Sequence, residues 1–256
     1  MGKYFSVTKK IPIAASLQHV AAFGSGEIVA DWTAIEIPKG SACLRSLAML
    51  VRPKGDATPT DNNFACDIVF STTNTQSLGA VNGPVSHVPF PDMIGLIEMP
   101  VAAYGVNVFN STVIAQTSNN GDNENAGIPL VLTPDPEAGD SGVGYDTIYV
   151  GIVAADALPD FESLNVINDG DINSTTPTAI VMAGSGMDVR EHFAVGDVLH
   201  AQDDILLGTV ASIGAATTGP INLTSATSGA GDATTVADGD TIYNLHPITL
   251  VLGFEQ

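Results

Sequence analysis

The chain has 256 residues, of which 45% are hydrophobic and 14% are charged, and its formal net charge is −20. This hydrophobic content argues against intrinsic disorder, and the longest apolar runs are far below the roughly 18 residues that a membrane-spanning helix needs. A strongly acidic chain repels phosphate backbones, so nucleic-acid binding is not expected. The length suits one large β domain or, more readily, two smaller ones.

The basic residues are confined to one end of the sequence. Seven of the eight lie in the first 54 residues, where three acidic residues leave a net charge of +4 (7 − 3). The remaining 202 residues carry one arginine and 25 acidic residues, a net charge of −24 (1 − 25). This division predicts that the N-terminal segment docks on an acidic protein surface. The alternative is that its basic residues are solvated and bind no partner. The candidate contact residues are Lys3, Lys9, Lys10, Lys39, Arg45, Arg52 and Lys54.

The first 40 residues are predicted to be extended. Residues 1–25 form either an arm that reaches a neighbouring subunit or a first strand, and they show no signal peptide. In the following strand, 26–40, hydrophobic and polar residues alternate. The residues predicted to share one face are Ile28, Ala30, Trp32 and Ala34.

The rest of the N-terminal half is predicted to be strands separated by turns. The apolar run 42–51 indicates a central strand, with a short helix as the alternative. Several prolines around 93–98 predict an irregular stretch, and the polar segment 117–127 is typical of a surface loop. Other strands are predicted at 64–70, 104–115, 128–133, 145–154 and 164–167.

The C-terminal half continues with short apolar runs between Gly, Asp and Pro clusters. Residues 168–178 indicate a linker or a long hairpin, and 187–193 predict the chain's one helical turn, which Asp188 can cap and Gly196 ends. Apolar runs at this spacing are typical of a small antiparallel barrel or sandwich. The strands of this module are predicted at 178–183, 195–199, 205–213, 221–224 and 248–252.

These patterns together predict an all-β fold class. We expect an N-terminal antiparallel β-sandwich, jelly-roll-like and with the N-terminal arm, over 1–167, a linker over 168–178, and a small C-terminal β-barrel domain over 179–256. The two cysteines, Cys43 and Cys66, are predicted to be free and to pack as small apolar residues, because a disulfide framework needs more of them.

No catalytic constellation is recognisable in the sequence, so we do not expect an enzyme. The five histidines have no zinc-ligand spacing, and those at 192 and 200 are predicted to be solvated turn residues. The acidic pairs at 169–171, 203–204 and 238–240 are predicted to be turns, with a structural calcium ion as the less favoured alternative. No other cofactor is expected. Trp32 and the tyrosines are predicted to pack on the sheets rather than to form a sugar-binding platform.

The stretch 193–255 carries a series of short phrases in a fixed order: Gly196-Asp197, Leu207-Gly208-Thr209-Val210, Leu223-Thr224, Asp238-Gly239-Asp240, Ile242-Tyr243-Asn244 and Gly253-Phe254-Glu255. This pattern, about a quarter of the chain, resembles a C-terminal module of structural proteins of tailed-phage virions, of the capsid decoration (cement) type. The resemblance implies a virion protein on the capsid surface, synthesised in the host cytoplasm, that binds the major capsid protein as a dimer or trimer and stabilises the assembled shell. The alternative is a receptor- or carbohydrate-binding β module, such as a head fibre or a tail or baseplate component.

Overall fold

The computed structural model describes residues 2–20, 22–54, 60–86, 92–104, 113–118, 128–134, 145–155, 159–161, 167–168, 170, 172, 179–183, 188–216, 219–224 and 236–256. Antiparallel strands dominate these residues, and the predicted all-β fold class is confirmed. The described helices are α1 (Ala15–Val20), α2 (Val189–His192) and a 3₁₀ turn at Val101–Ala103. Asp188 caps α2 as predicted, because its side chain accepts a hydrogen bond from the backbone N–H of Arg190.

The first sheet joins the two ends of the chain. Its strands follow the order β1-β16-β3-β6, and β7 also pairs with β3. Every second residue of the last strand is buried, which is the period of a strand with one face on a core. The strands are β1 (Tyr4–Ile11), β3 (Ala42–Val51), β6 (Val113–Ser118), β7 (Leu130–Leu132) and β16 (Ile248–Glu255).

The second sheet has the order β2-β8-β4-β5. Its strands are β2 (Ile28–Pro38), β4 (Cys66–Ser71), β5 (Met93–Met99) and β8 (Tyr145–Ala154). The buried faces of the first and second sheets contribute to one apolar cluster, so the two sheets pack face to face as a β-sandwich. Members of this core include Leu47, Met49, Leu250 and Phe254 from the first sheet and Ile35, Ile68, Phe70, Ile148 and Ile152 from the second.

The third sheet has a core of its own. Its order is β10-β14-β13-β12-β15, and its apolar cluster includes Val189, Leu199, Val210, Ile221 and Ile242. The strands are β10 (Ala179–Ile180), β12 (Val198–Ala201), β13 (Leu206–Ala216), β14 (Gly219–Leu223) and β15 (Ile242–Asn244), and a separate pair joins β9 (Ile167–Asn168) to β11 (Met182–Ala183). Among the described residues, the outer strands β10 and β15 do not pair with each other, so closure into a barrel stays a prediction.

The last strand of the chain departs from the predicted grouping. The run 248–252 was assigned to the C-terminal module, but β16 lies between β1 and β3 in the first sheet. The N-terminal segment is correspondingly a strand over Tyr4–Ile11 that pairs along its length with β16, and not a free arm. The boundaries at 167 and 179 stay predictions.

Three local predictions are corrected. The stretch 93–98 is part of a strand, β5, with a register shift near its start, because the prolines at 91 and 100 flank β5 in the sequence rather than interrupt it. The helix α1 was not predicted. In β2, bulges between Ile28 and Ala30 and between Ala30 and Thr33 shift the alternation, so Ala34 is exposed and Ile35 is buried.

Other predictions fall partly or wholly on residues that the structure does not describe. The predicted strand 104–115 is described at Tyr104 and from Val113, where β6 begins, and 105–112 lie outside the described residues. Most of the strand 164–167, most of the linker 168–178 and the loop residues 119–127 also lie outside them. Both cysteines are free as predicted, and Cys66 is buried, which raises the pKa of its thiol.

Candidate binding surface

The seven candidate basic residues gather around one sheet of the sandwich. All of them lie on β1 or β3 or within three residues of an end of those strands. Because β1 and β3 both pair with β16, the folded chain places the N-terminal basic segment across the first sheet. The sequence predicted a basic segment, and the topology gathers it around one sheet, although the register of Lys9 with the buried Leu250 sets its side chain on the inner side of that sheet.

The two sheets of the sandwich differ sharply in charge. The strands of the first sheet carry three basic residues, Lys9, Lys10 and Arg45, and one acidic residue, Glu255. The strands of the second sheet carry no basic residue and five acidic ones: Asp31, Glu36, Asp67, Glu98 and Asp146. The sandwich therefore has one weakly basic side and one acidic side.

At one end of the first sheet, three side chains from three strands form an exposed polar cluster. The guanidinium of Arg45 lies 2.6 Å from Glu255, and the hydroxyl of Tyr4 donates to the same carboxylate at 3.0 Å. The pairing register places Tyr4 directly opposite Glu255. The hydrogen bond from Arg45 and that from Tyr4 lower the pKa of Glu255, and the bond to Glu255 raises the pKa of Tyr4.

Two more of the basic residues lie at this end through their backbones. The N–H of Lys3 donates to the carbonyl of Gln256 at 3.0 Å, and the carbonyl of Lys39 accepts from the side-chain amide of Gln256 at 2.5 Å. Lys3, Lys39 and Arg45 are therefore brought together around the C-terminal end of β16. Both lysines are exposed.

At the other end of the first sheet, basic side chains hold the third sheet. The Arg52 guanidinium lies 2.7 Å from both carboxylate oxygens of Asp197, which is 5% exposed. The Lys10 ammonium donates to the carbonyl of Gly196 at 3.0 Å. These contacts give Gly196-Asp197, one of the phrases noted in the sequence, a definite structural role. Lys54 follows Arg52 and forms an isolated backbone bridge with Thr60.

Between these two ends, the outer face of the first sheet is mildly apolar. The register places Lys10, Thr249, Leu50 and Ile114 in one row across the four strands. The next row is Thr8, Val251, Ala48 and Gln116. Leu50, Ile114 and Val251 are only partly buried. The sequence predicted a central strand at 42–51 but not which of its residues face outward.

The described acidic pairs act in turns. Asp240 accepts from the N–H of Ala237 at 2.8 Å, and the N–H of Asp240 donates to the carbonyl of Ala237 at 3.1 Å. Asp204 lies in a turn with a φ of 64°. The described residues contain no group of three or more His, Cys, Asp or Glu arranged to hold a metal ion. Asp169 and Asp171 lie outside the described residues, and the calcium alternative stays a prediction.

The histidines depart from their prediction. His192 is buried at the end of α2, and His200 is half-buried on β12, so neither is a solvated turn residue. His246 lies in the link between β15 and β16, also half-buried. No spacing in the sequence brings His200 and His246 together; their proximity follows from the pairing of β12 with β15.

The chain was compared with protein-family models and with curated proteins, and nothing matches. None of the described helices is long and apolar enough to cross a membrane.

Proposed function

We propose that this protein is a structural component of a tailed-phage virion that binds the assembled capsid surface and stabilises it, as a decoration or cement protein does. The observation that carries the proposal is the division of charge across the sandwich, with basic residues on and around the first sheet and acidic residues alone on the second. A two-sided molecule of this kind suits a protein that has one face on a shell and the other in solvent.

The outer face of the first sheet is the docking surface in this proposal. Its centre, formed by Leu50, Ile114 and Val251, supplies apolar area, and the basic residues lie toward its ends. Interfaces combine an apolar centre with a polar rim in this way. The partner is the major capsid protein, through an acidic patch of its outer surface, and cations at the rim steer the approach and set the register.

Stabilisation follows from mass action. A protein that binds the assembled shell and not its free subunits shifts the assembly equilibrium toward the shell. Capsid surfaces present symmetry axes, and a homo-oligomer, a trimer or a dimer, matches several equivalent subunits at once. In this role the chain acts through binding alone and not as an enzyme.

The first test is the copy number of the protein in purified virions that contain it, measured by quantitative mass spectrometry against the major capsid protein. A ratio near one copy per capsid subunit, or one per few, is expected. A few to a few dozen copies per particle would instead indicate a tail, baseplate or fibre component, which is the receptor-binding alternative. Absence from the particles would overturn the virion proposal.

A second test asks which face docks. The double variant Lys3→Gln/Lys39→Gln removes two exposed cations at one end of the first sheet, and Ala34→Glu/Asn63→Glu adds two exposed anions on and beside the second sheet. Both variants change the net charge by the same amount. We expect the first to bind purified undecorated capsids about tenfold more weakly and the second to bind as the wild type does. Equal weakening in both would exclude the first sheet as the docking face.

A further inference from the structure

The third sheet is attached to the sandwich along a polar boundary, which we call the seam. Residues 245–247 connect β15 of the third sheet to β16 of the first. Three backbone hydrogen bonds anchor this link. The N–H of Leu245 donates to the carbonyl of Val198 at 2.8 Å, the N–H of Ile13 to the carbonyl of Leu245 at 2.8 Å, and the N–H of Arg52 to the carbonyl of Pro247 at 2.9 Å. The ends of β1, β3, β12 and β15 therefore meet here.

Side chains reinforce the seam from both sides. Arg52 pairs with Asp197, and Lys10 donates to the carbonyl of Gly196. From α1, the backbone N–H of Ser16 donates to Asp204 at 3.0 Å. The amide of Gln18 donates to the carbonyl of Asn244 at 2.9 Å. Polar contacts hold these two bodies together, while each body has its own apolar cluster.

His246 and His200 both lie within this polar boundary. His246, in the link, is within electrostatic range of Lys9 and Lys10 from β1, of Asp197 ahead of β12, and of His200 on β12. Its Nδ1 atom is buried and has no hydrogen-bond partner among the described residues.

His200 faces the turn that follows β12 and the strand beside it. The Nδ1 atom of His200 lies 3.1 Å from the carbonyl of Asp204, and the carboxylate of Asp204 is also nearby. In the strand register, His200 lies opposite Tyr243 of β15. The Tyr243 hydroxyl in turn lies 2.8 Å from His19 of α1. The fixed charges of the seam are thus Lys9, Lys10 and Arg52 against Asp197 and Asp204.

We propose that the seam is an acid-sensitive hinge, in which protonation of His246 beside Lys9 and Lys10, and of the neighbouring His200, separates the third sheet from the sandwich while each keeps its own core. At neutral pH the three cations already outnumber the two carboxylates. Two further positive charges in a partly desolvated boundary repel Lys9, Lys10 and each other, and the buried Nδ1 of His246 has no described acceptor for a hydrogen bond.

The direction of the pH dependence follows from linkage. Burial, and for His246 also Lys10, lowers the pKa of both histidines in the closed seam below the ordinary value of about 6.5. The opened seam, with solvated imidazoles, binds protons more readily in that range. The contribution of these histidines to seam stability is therefore complete above the ordinary histidine pKa, and it is lost as the pH falls toward their lowered values.

Native-state hydrogen exchange tests the hinge on the full chain. The amide that crosses the seam is that of Ser16, which donates to Asp204, and the amides of Ile13 and Leu245 hold the link to the sandwich and to the third sheet. Between pH 7.5 and pH 5.5, after correction for intrinsic exchange, we expect their protection to fall about tenfold. Amides in the interiors of β3 and β13 keep their protection, because the two cores remain intact. Unchanged seam protection, or an equal loss in the strand interiors, would overturn the proposal.

Two matched comparisons show whether these charges are responsible. The double variant His200→Gln/His246→Gln is expected to lose most of the acid effect at the seam amides. Lys9→Gln removes a cation that lowers the pKa of His246 in the closed seam, so the loss of protection on acidification should be smaller, whereas Lys3→Gln, at the far end of β1, should leave it unchanged. A wild-type acid response in both the histidine variant and Lys9→Gln would refute the assignment, and Lys9→Gln serves alone if the histidine variant does not fold.

Discussion

Arg45 and Arg52 lie seven residues apart on the same strand and its extension, and each is paired with one carboxylate. Their surroundings differ. The Arg45–Glu255 side chains are 44% and 24% exposed, whereas those of Arg52 and Asp197 are 23% and 6% exposed. Exposed ion pairs contribute little to stability, but removing one partner of a buried pair leaves an uncompensated charge.

The substitution Arg52→Met is therefore expected to lower the free energy of unfolding by about 2–3 kcal/mol, because Asp197 stays buried and, among the described residues, keeps only the N–H of Ala194 as a donor, at 2.8 Å. Urea denaturation measures this change. Arg45→Met is the matched control and should have a much smaller effect. Equal losses in the two variants would mean that the seam contact adds nothing beyond a surface pair.

The exposed contact between Tyr4 and Glu255 can be tested by titrating the phenol of Tyr4. In Glu255→Gln the phenol of Tyr4 loses its carboxylate acceptor, so we expect the pKa of Tyr4 to fall toward the ordinary tyrosine value of about 10. The reason is that the hydrogen bond from Tyr4 to Glu255 is the main cause of its raised pKa. An NMR titration of ring-labelled tyrosine follows it directly. Glu98→Gln, on the second sheet, should leave the Tyr4 resonance unchanged; a shift there would point to long-range charge rather than to the contact.

At the scale of elements, β16 is the central link of the first sheet, because β1 and β3 do not pair with each other and each pairs with β16. Leu250 is fully buried in the middle of this strand, and the next residue, Val251, points to the outer face. Leu250→Ala is expected to lower the free energy of unfolding by about 3 kcal/mol. Val251→Ala should cost less than about 1 kcal/mol, and similar losses would contradict the strand register.

Element prediction succeeded where the pattern is local. The runs 42–51 and 145–154 became β3 and β8, since predominantly apolar stretches of strand length between turn residues leave few other options. The prediction of an irregular stretch at 93–98 was wrong because the sequence alone does not distinguish prolines that flank a strand from prolines that interrupt it. The helix α1 is only six residues long, and tertiary contacts of Ser16 and Gln18 hold it, which no local pattern shows.

At the scale of the whole molecule, composition predicted the charge division along the chain but not its distribution in space. The basic segment gathers around one sheet only because β16 joins β1 to β3, a contact across almost the full length of the sequence. The seam depends on the same strand, since its histidines come from 200 and 246 and its cations from 9, 10 and 52. Long-range pairing of this kind leaves no mark in a single sequence.

The position of β16 makes a prediction about how the chain can be cut. A fragment of residues 1–178 contains the whole predicted N-terminal domain and the predicted linker but lacks β16, so β1 and β3 both lose their shared partner and the apolar core loses Ile248, Leu250, Leu252 and Phe254. We expect this fragment to be unfolded or aggregated, as judged by circular dichroism and sedimentation.

A circular permutant tests whether the fragment fails to fold because β16 is missing or because the chain has been cut. The N–H groups of Lys3 and Gln256 donate to each other's carbonyls at 3.0 and 2.9 Å, so a short glycine linker can join the two ends as a hairpin. A chain that begins at residue 230 and ends at residue 229 keeps every strand of both cores. Its free energy of unfolding should lie within about 2 kcal/mol of the wild type. A folded 1–178 fragment, or a permutant that does not fold, would contradict the placement of β16 between β1 and β3.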